Sequence, residues 1–269
     1  MLFNPVRRRE TAMIDFLINT EYDAERPMGN VALSGINMLI GDWIVGLKPE
    51  NEVILPSRIE WLQMAIDTNE VFDGPYESAT FHKYNLYKHL ALAKWLYTGV
   101  DSQKDWQHAR VLFVDNYTSG KWYETRKLRT DALDNYLALC IQAESYQAGI
   151  DEFEKYHGQK KNSLKTKTIT PRYYGYLVCQ NKLNLVHDDA TMIELGRKLL
   201  VANLEDHPWL GYGQYSTAAM WLKIVYWHND KNLTPEQTLL KCYDNMPNVQ
   251  KPNFEGGLKK RSFLRFFRV

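Results

Sequence analysis

HLALAKWLYTGVDSQKDWQHARVLFVDNY, residues 89–117, is the stretch that decides the fold class. Leu90, Ala91, Trp95 and Leu96 recur at helical spacing, and Tyr84 and Tyr87 extend the same face backwards. Gly99 breaks the pattern. Asp101 and Ser102 are capping residues for a second helix that carries Trp106, Ala109, Leu112 and Phe113. Two apolar-faced helices joined by so short a turn are consistent with an antiparallel pair.

A second unit of the same kind follows. Thr130 or Asp131 reads as the cap of a helix carrying Leu133, Tyr136, Leu137, Leu139 and Cys140. Ala143-Glu144-Ser145 then turns into Tyr146, Ala148, Gly149, Ile150 and Phe153. In each unit the second helix opens on an aromatic, with an alanine two or three residues on. Two irregular copies do not make a sustained period. The expected fold is all-α, an irregular stack of antiparallel helical hairpins that is only weakly repeat-like.

Outward from this centre the chain keeps its helical character. Residues 7–22 carry Met13, Ile14, Phe16, Leu17 and Ile18 on roughly one side. Pro27 and Gly29 read as a loop before an apolar helix over 31–47, which is interrupted by Ser34, Asn37 and Asp42 and is too short for a membrane span. Ser57 and Glu60 have capping-box spacing, with Trp61, Met64 and Ala65 on one face behind them. A helix is expected over 78–97. Pro171 and the tyrosines Tyr173, Tyr174 and Tyr176 follow the connector, and Thr191 and Glu194 have capping-box spacing ahead of a helix over 193–200. Ser216 reads as the cap of a strongly apolar helix, and Thr234-Pro235 opens the next one. The final GGLKKRSFLRFFRV, residues 256–269, has five basic residues among phenylalanines, read as tucked against the body.

The sequence has 269 residues with 33 Lys/Arg and 32 Asp/Glu. That near-neutral total conceals a split. Residues 1–157 hold 16 basic and 23 acidic side chains, and residues 158–269 hold 17 and 9. Residues 158–168, with four lysines and one large hydrophobe, read as an exposed connector. The expected division is an acidic N-terminal helical part over 1–157, the connector over 158–168 and a basic C-terminal helical part over 169–269. Cys140, Cys179 and Cys242 are too few and too dispersed for a disulfide framework, which fits a reducing, cytoplasmic setting. No secretory leader is read at the N-terminus, since Asp15, Glu21 and Asp23 interrupt any apolar run.

Catalytic motifs do not emerge. The histidines are dispersed, and His82 and His89 lack an accompanying metal-ligand pattern. Asp188 or Asp189, after His187, is explained by a helix start. Gly211 and Gly213 follow no strand. Neither Cys140 nor Cys179 has a motif that identifies a base. The reading assigns no catalytic residue, cofactor or metal ligand, and a non-enzyme is expected.

The hairpin over 89–117, with DNYLALCIQAESYQAGIDEFEKYHG over 134–158, resembles helical bacterial immunity proteins that protect a cell against polymorphic or type VI secreted toxins. The nearest group is the PoNi-like one, which neutralises DNase toxins. The resemblance implies stoichiometric binding and inhibition of a cognate toxin, with a carboxylate-rich helical face meeting a basic nuclease. Asp131, Asp134, Glu144, Asp151, Glu152 and Glu154 are the interface candidates, and Tyr136 and Tyr146 are candidate anchors that also fit a core. No direct nucleic-acid or membrane partner is expected, and a homodimer is left open. The alternative reading is a helical scaffold or adaptor for another protein.

Overall fold

The computed structural model describes residues 54–68, 79–119, 126–157, 170–185, 188–205 and 215–245, with helical Gly29, Ala32, Leu33, Gly35, Ile36 and Ile40 before them. Side chains at 54–57, 79–82, 116–119, 126–131, 157, 200–205, 215, 218, 240 and 242–245 are outside this description. So are the expected helix over 7–22, the lysine connector, the basic tail, Cys242, His187, His207 and the Gly211–Gly213 pair.

The described residues are helical and contain no strand. In chain order they form α1 Ile54–Asp67, α2 Ala79–Thr98, α3 Gln103–Ser119, α4 Arg126–Gln142, α5 Tyr146–His157, α6 Pro171–Lys182, α7 Asp189–Glu205, α8 Tyr215–Leu222 and α9 Pro235–Asn245. A π-helix over Lys223–Trp227 continues α8. Helix α2 packs on α1 and α3, α4 on α3, α5 and α6, and α6 on α5 and α7. Helix α8 reaches back to α2 and α4. Every residue from Lys88 to Ala93 is buried, so the middle of α2 is enclosed on all sides, as expected of a central helix.

Helices from both sides of the connector share one hydrophobic core. Ala91, Leu92 and Trp95 from α2 belong to it with Leu137 and Leu139 from α4, Leu177 from α6 and Trp221 from α8. The acidic and basic parts of the sequence therefore meet across a common interior. Before α1, Ala32, Ile36 and Ile40 are buried at successive four-residue steps, and Gly29 is already helical rather than part of a loop.

Several helix starts lie upstream of their apparent caps. Helix α1 begins at Ile54, so Ser57 sits inside it. Pro56 is tolerated there because the first-turn amides have no intrahelical acceptor. Its inward side is Arg58, Leu62 and Ala65, while Met64 is exposed. Helix α4 starts at Arg126, ahead of Thr130 and Asp131. Ser216 is a buried residue within α8. At α7 the cap is Asp188, whose carboxylate accepts from the Thr191 amide at 2.8 Å and hydroxyl at 3.0 Å. Glu194 pairs instead with Arg197.

Other termini match their sequence signals. Thr170 caps α6, with Pro171 next in line. Thr234 and Gln237 form a reciprocal capping box, with Gln237 N donating to Thr234 Oγ1 at 3.1 Å and Thr234 N donating to Gln237 Oε1 at 2.8 Å. Gly99 ends α2 with φ 70°, a conformation in which a Cβ is disfavoured.

Packing is tightest where α7 crosses α6 and the π-helix. A methyl group on Gly196 would sit 2.5 Å from the Tyr174 hydroxyl oxygen and 2.7 Å from Val225 Cγ2. Tyr174 has little room to retreat, since it is fully buried and its hydroxyl donates to the Met192 carbonyl at 3.1 Å. Gly196→Ala should lower stability by about 1–3 kcal/mol in urea denaturation, despite alanine's better helix propensity. An unchanged or raised urea midpoint would contradict that packing.

Candidate functional site

The centre of the molecule holds a charge that helix periodicity hides. Lys223 occupies the first position of the π-helix, within the run WLKIVYW over 221–227. Its side chain has 0% exposure. Nζ donates to Asp101 Oδ1 at 2.8 Å and to Gln142 Oε1 at 2.5 Å. It also lies 4.7 Å from the ring centre of Trp227, 5.3 Å from Trp106 and 5.6 Å from Trp95. A carboxylate, a carboxamide and three indoles thus replace the hydration shell of one ammonium group.

The partners are themselves held in place. Asp101 Oδ1 also accepts from Trp106 Nε1 at 2.7 Å. Gln142 Nε2 donates to the Met220 carbonyl at 3.0 Å, which aims its oxygen at Lys223 and at His228 Nε2, 3.2 Å away. Burial pushes His228 well below the usual imidazole range, and the charges of Lys223, Lys231 and Lys182 add to the effect. The ring is therefore neutral at pH 7. Because a carboxamide oxygen only accepts, its proton belongs on Nε2.

Burial also lowers the Lys223 pKa to about 8, against the opposing pull of Asp101. An amine of that basicity has the right chemistry for a nucleophile or a base. With no exposure, however, it meets no substrate in this conformation. Its evident role is to tie the α2–α3 corner to the π-helix across 122 residues of chain. The π-helix is a turn widened by one residue: His228 N donates to Lys223 O at 2.9 Å, five residues back.

In the sequence Asp101 carries only the local signal of a helix cap, and nothing in its neighbourhood points to Lys223. The available signal was a lysine inside an otherwise apolar run.

The proposed interface residues separate into distinct environments. Tyr136 is a core residue, with its ring stacked on Phe113 at 6.4 Å. Burial at this position accounts for its place among the apolar residues of α4, and it does not project as an anchor. Asp134 is half-buried and faces α6, where Arg172 Nη1 approaches at 3.4 Å. Glu154 likewise turns toward α6 and accepts from the Tyr176 hydroxyl at 3.0 Å. Glu152 is half-buried and accepts from Lys155 at 3.4 Å. Asp151 is exposed, with Gln147 donating to it at 2.8 Å. Glu144 is exposed in the α4–α5 turn at φ 53°, and Tyr146 is half-buried beside it. Asp131 lies in α4, but its side chain is outside the described residues. Glu144 and Asp151 thus remain exposed, while Tyr146 packs against the core and burial pushes its phenol up to about 12.

Cys140 and Cys179 are free and buried. Burial raises both thiols, Cys140 to about 12, the opposite of what a thiolate nucleophile needs. His89 is buried and pushed down to about 3, first by burial and then by Lys88, while its Nδ1 lies 2.8 Å from the Asn85 carbonyl. Among the described residues no group of three His, Cys, Asp or Glu side chains is placed to hold a metal ion. No described helix is long and apolar enough to cross a membrane. Comparison with protein-family models, curated proteins and solved structures gives no match to this chain.

Proposed function

We propose that the protein is an inhibitory binding module, an immunity protein that occupies a cognate bacterial effector toxin, with a nuclease as the favoured toxin class. The observation that carries this reading is the outer side of the α4–α5 pair. There Asp151 is exposed on α5, Glu144 is exposed in the turn before it and Tyr146 is half-buried, and the inner sides of both helices are packed into the core. Carboxylates on a rigid base lose little conformational freedom on binding, and they complement the basic surface by which a nuclease holds its substrate. The acidic excess of residues 1–157 adds long-range attraction to the same kind of partner.

The second reading, a helical scaffold, is favoured by exposed apolar side chains at helix ends, Tyr97 in the last turn of α2, Val100 just after it and Leu185 after α6. Capture of partners from the toxins encoded near this chain, followed by a toxin-activity assay with purified protein, separates the two readings. An immunity protein suppresses activity at one-to-one stoichiometry. A scaffold binds without suppressing it. The paired charge reversal Glu144→Lys and Asp151→Lys should weaken toxin binding about tenfold or more and steepen its loss with salt, measured by calorimetry. Unchanged affinity in a folded double variant would remove this face from the interface.

A further inference from the structure

Helices α4 and α6 pack side by side in parallel register. At one rung Arg172 Nη1 is 3.4 Å from Asp134. At the next, a Cβ on Gly175 would lie 3.0 Å from Leu137 Cβ, so the two backbones nearly touch. One turn further along each helix stand Cys140 and Cys179, both with 0% exposure. Gly149 of α5 covers this third rung. A Cβ there would lie 2.9 Å from Cys179 Sγ and 3.2 Å from Cys140 Cβ, which puts those two atoms within about 6 Å of each other. A disulfide asks for Cβ atoms about 3.5–4.5 Å apart, with each sulfur free to turn toward the other. Parallel helices crossing at about 20° diverge by only about 2 Å per turn, so the close contact at Leu137 and Gly175 carries over to the cysteines. Glycine at 149 leaves room for the sulfurs to rotate.

We infer that Cys140 and Cys179 are an oxidisable pair, a modification site at which a hydroperoxide closes a disulfide between α4 and α6. The site does not depend on which partner the chain binds. Burial raises both thiols, and at Cys140 the Tyr136 hydroxyl and the Arg110 guanidinium act against it. Cys140 is therefore the first to react. With hydrogen peroxide its thiolate takes one oxygen, becoming a sulfenic acid and releasing hydroxide. The Cys179 thiolate then attacks that sulfur and expels the oxygen as a second hydroxide. Two electrons pass from the thiols to the peroxide, and the two thiol protons convert the hydroxides to water. Enclosed, protonated thiols react slowly, so the rate follows opening of the core and rises with pH. The pair is thus a staple rather than an enzymatic nucleophile. Its bond would close the chain across residues 158–168, tying a helix of the acidic part to one of the basic part.

The test treats the full chain with hydrogen peroxide in native buffer at pH 8, then alkylates it in urea and maps its peptides without reduction. The expected result is a linked pair of peptides carrying Cys140 and Cys179, two hydrogens lighter than the free pair and separated again by dithiothreitol. The urea midpoint of the oxidised chain should rise by about 1 M, because the new bond restricts the unfolded chain. Cys242→Ser should form the same link at the same rate. Cys179→Ser should take up oxygen at Cys140 and gain no stability. Free thiols that persist under conditions that oxidise the urea-unfolded chain would overturn the pair. So would sulfinic acid at either cysteine without a link, or links that run through Cys242 in preference. A midpoint that oxidation does not raise would overturn the staple.

Discussion

Asp101→Asn should lower stability by about 3 kcal/mol at pH 7, whereas Lys223→Met should cost less, about 1–2 kcal/mol, because the carboxylate it leaves without a counter-charge keeps 11% exposure and the Trp106 and Gln103 donors. The asymmetry comes from what each substitution leaves behind. Asparagine keeps an oxygen for Trp106 Nε1 but removes the counter-charge of an ammonium with 0% exposure. Lys223 escapes the full penalty only by releasing its proton, which its lowered pKa of about 8 makes accessible. Methionine, of similar length, fills the space among three indoles with a polarisable apolar group and removes the cost of dehydrating the ammonium. Asp101 then keeps Trp106, and Gln142 keeps His228 and Met220. The double variant should recover most of the Asp101→Asn loss. Urea denaturation of the four proteins measures the cycle. A Lys223→Met loss as large as that of Asp101→Asn would mean that the ion pair is a net stabiliser.

The second large effect lies at alkaline pH. Cys140 and Cys179 are held above the ordinary thiol range by burial, as are the phenols of Tyr84, Tyr136 and Tyr174 above theirs. A group whose folded pKa is raised contributes stability that is complete below its unfolded pKa and is lost as pH climbs toward the folded value. Each therefore subtracts about 1.4 kcal/mol per pH unit, the thiols from about pH 9 and the phenols from about pH 10. Lys223 has the opposite sign. Between pH 8 and 10.5 the unfolded chain holds a proton that the folded chain has released, so this group adds stability as pH rises. The two thiols outweigh the one lysine, and the chain should lose stability above pH 9 and steeply above pH 10. Replacing both cysteines with alanine should delay the onset by about one pH unit. In Lys223→Met the decline from pH 8 to 10 should be steeper than in the native chain. Denaturant midpoints across pH 7–11 measure both. A decline in Lys223→Met no steeper than the native one would show that Lys223 does not change its proton affinity on folding.

Much of the helical architecture is written locally. The recurrence of Leu90, Ala91 and Trp95, the break at Gly99 and the cap at Thr234 each depend on residues within a turn or two of one another. Such signals mark which segments are helical. They are weaker on where a helix begins: α1 and α4 start ahead of residues that look like caps, and α1 does so through Pro56, which the first turn tolerates because its amides need no intrahelical acceptor. Interface candidates were legible as carboxylates, but their directions were not. Asp134 and Glu154 turn inward because α6 offers Arg172 and Tyr176, and α6 lies beyond the connector in sequence.

The sequence by itself determined an all-α chain, the apolar sides of its central helices and the absence of a recognisable catalytic motif. Only the tertiary structure brought Asp101, Gln142 and Lys223 together around one buried charge, and only it separated the buried Tyr136 from the exposed Glu144. Helical periodicity is set by neighbours three and four residues away, whereas the pairing of a buried ammonium depends on helices more than eighty residues apart.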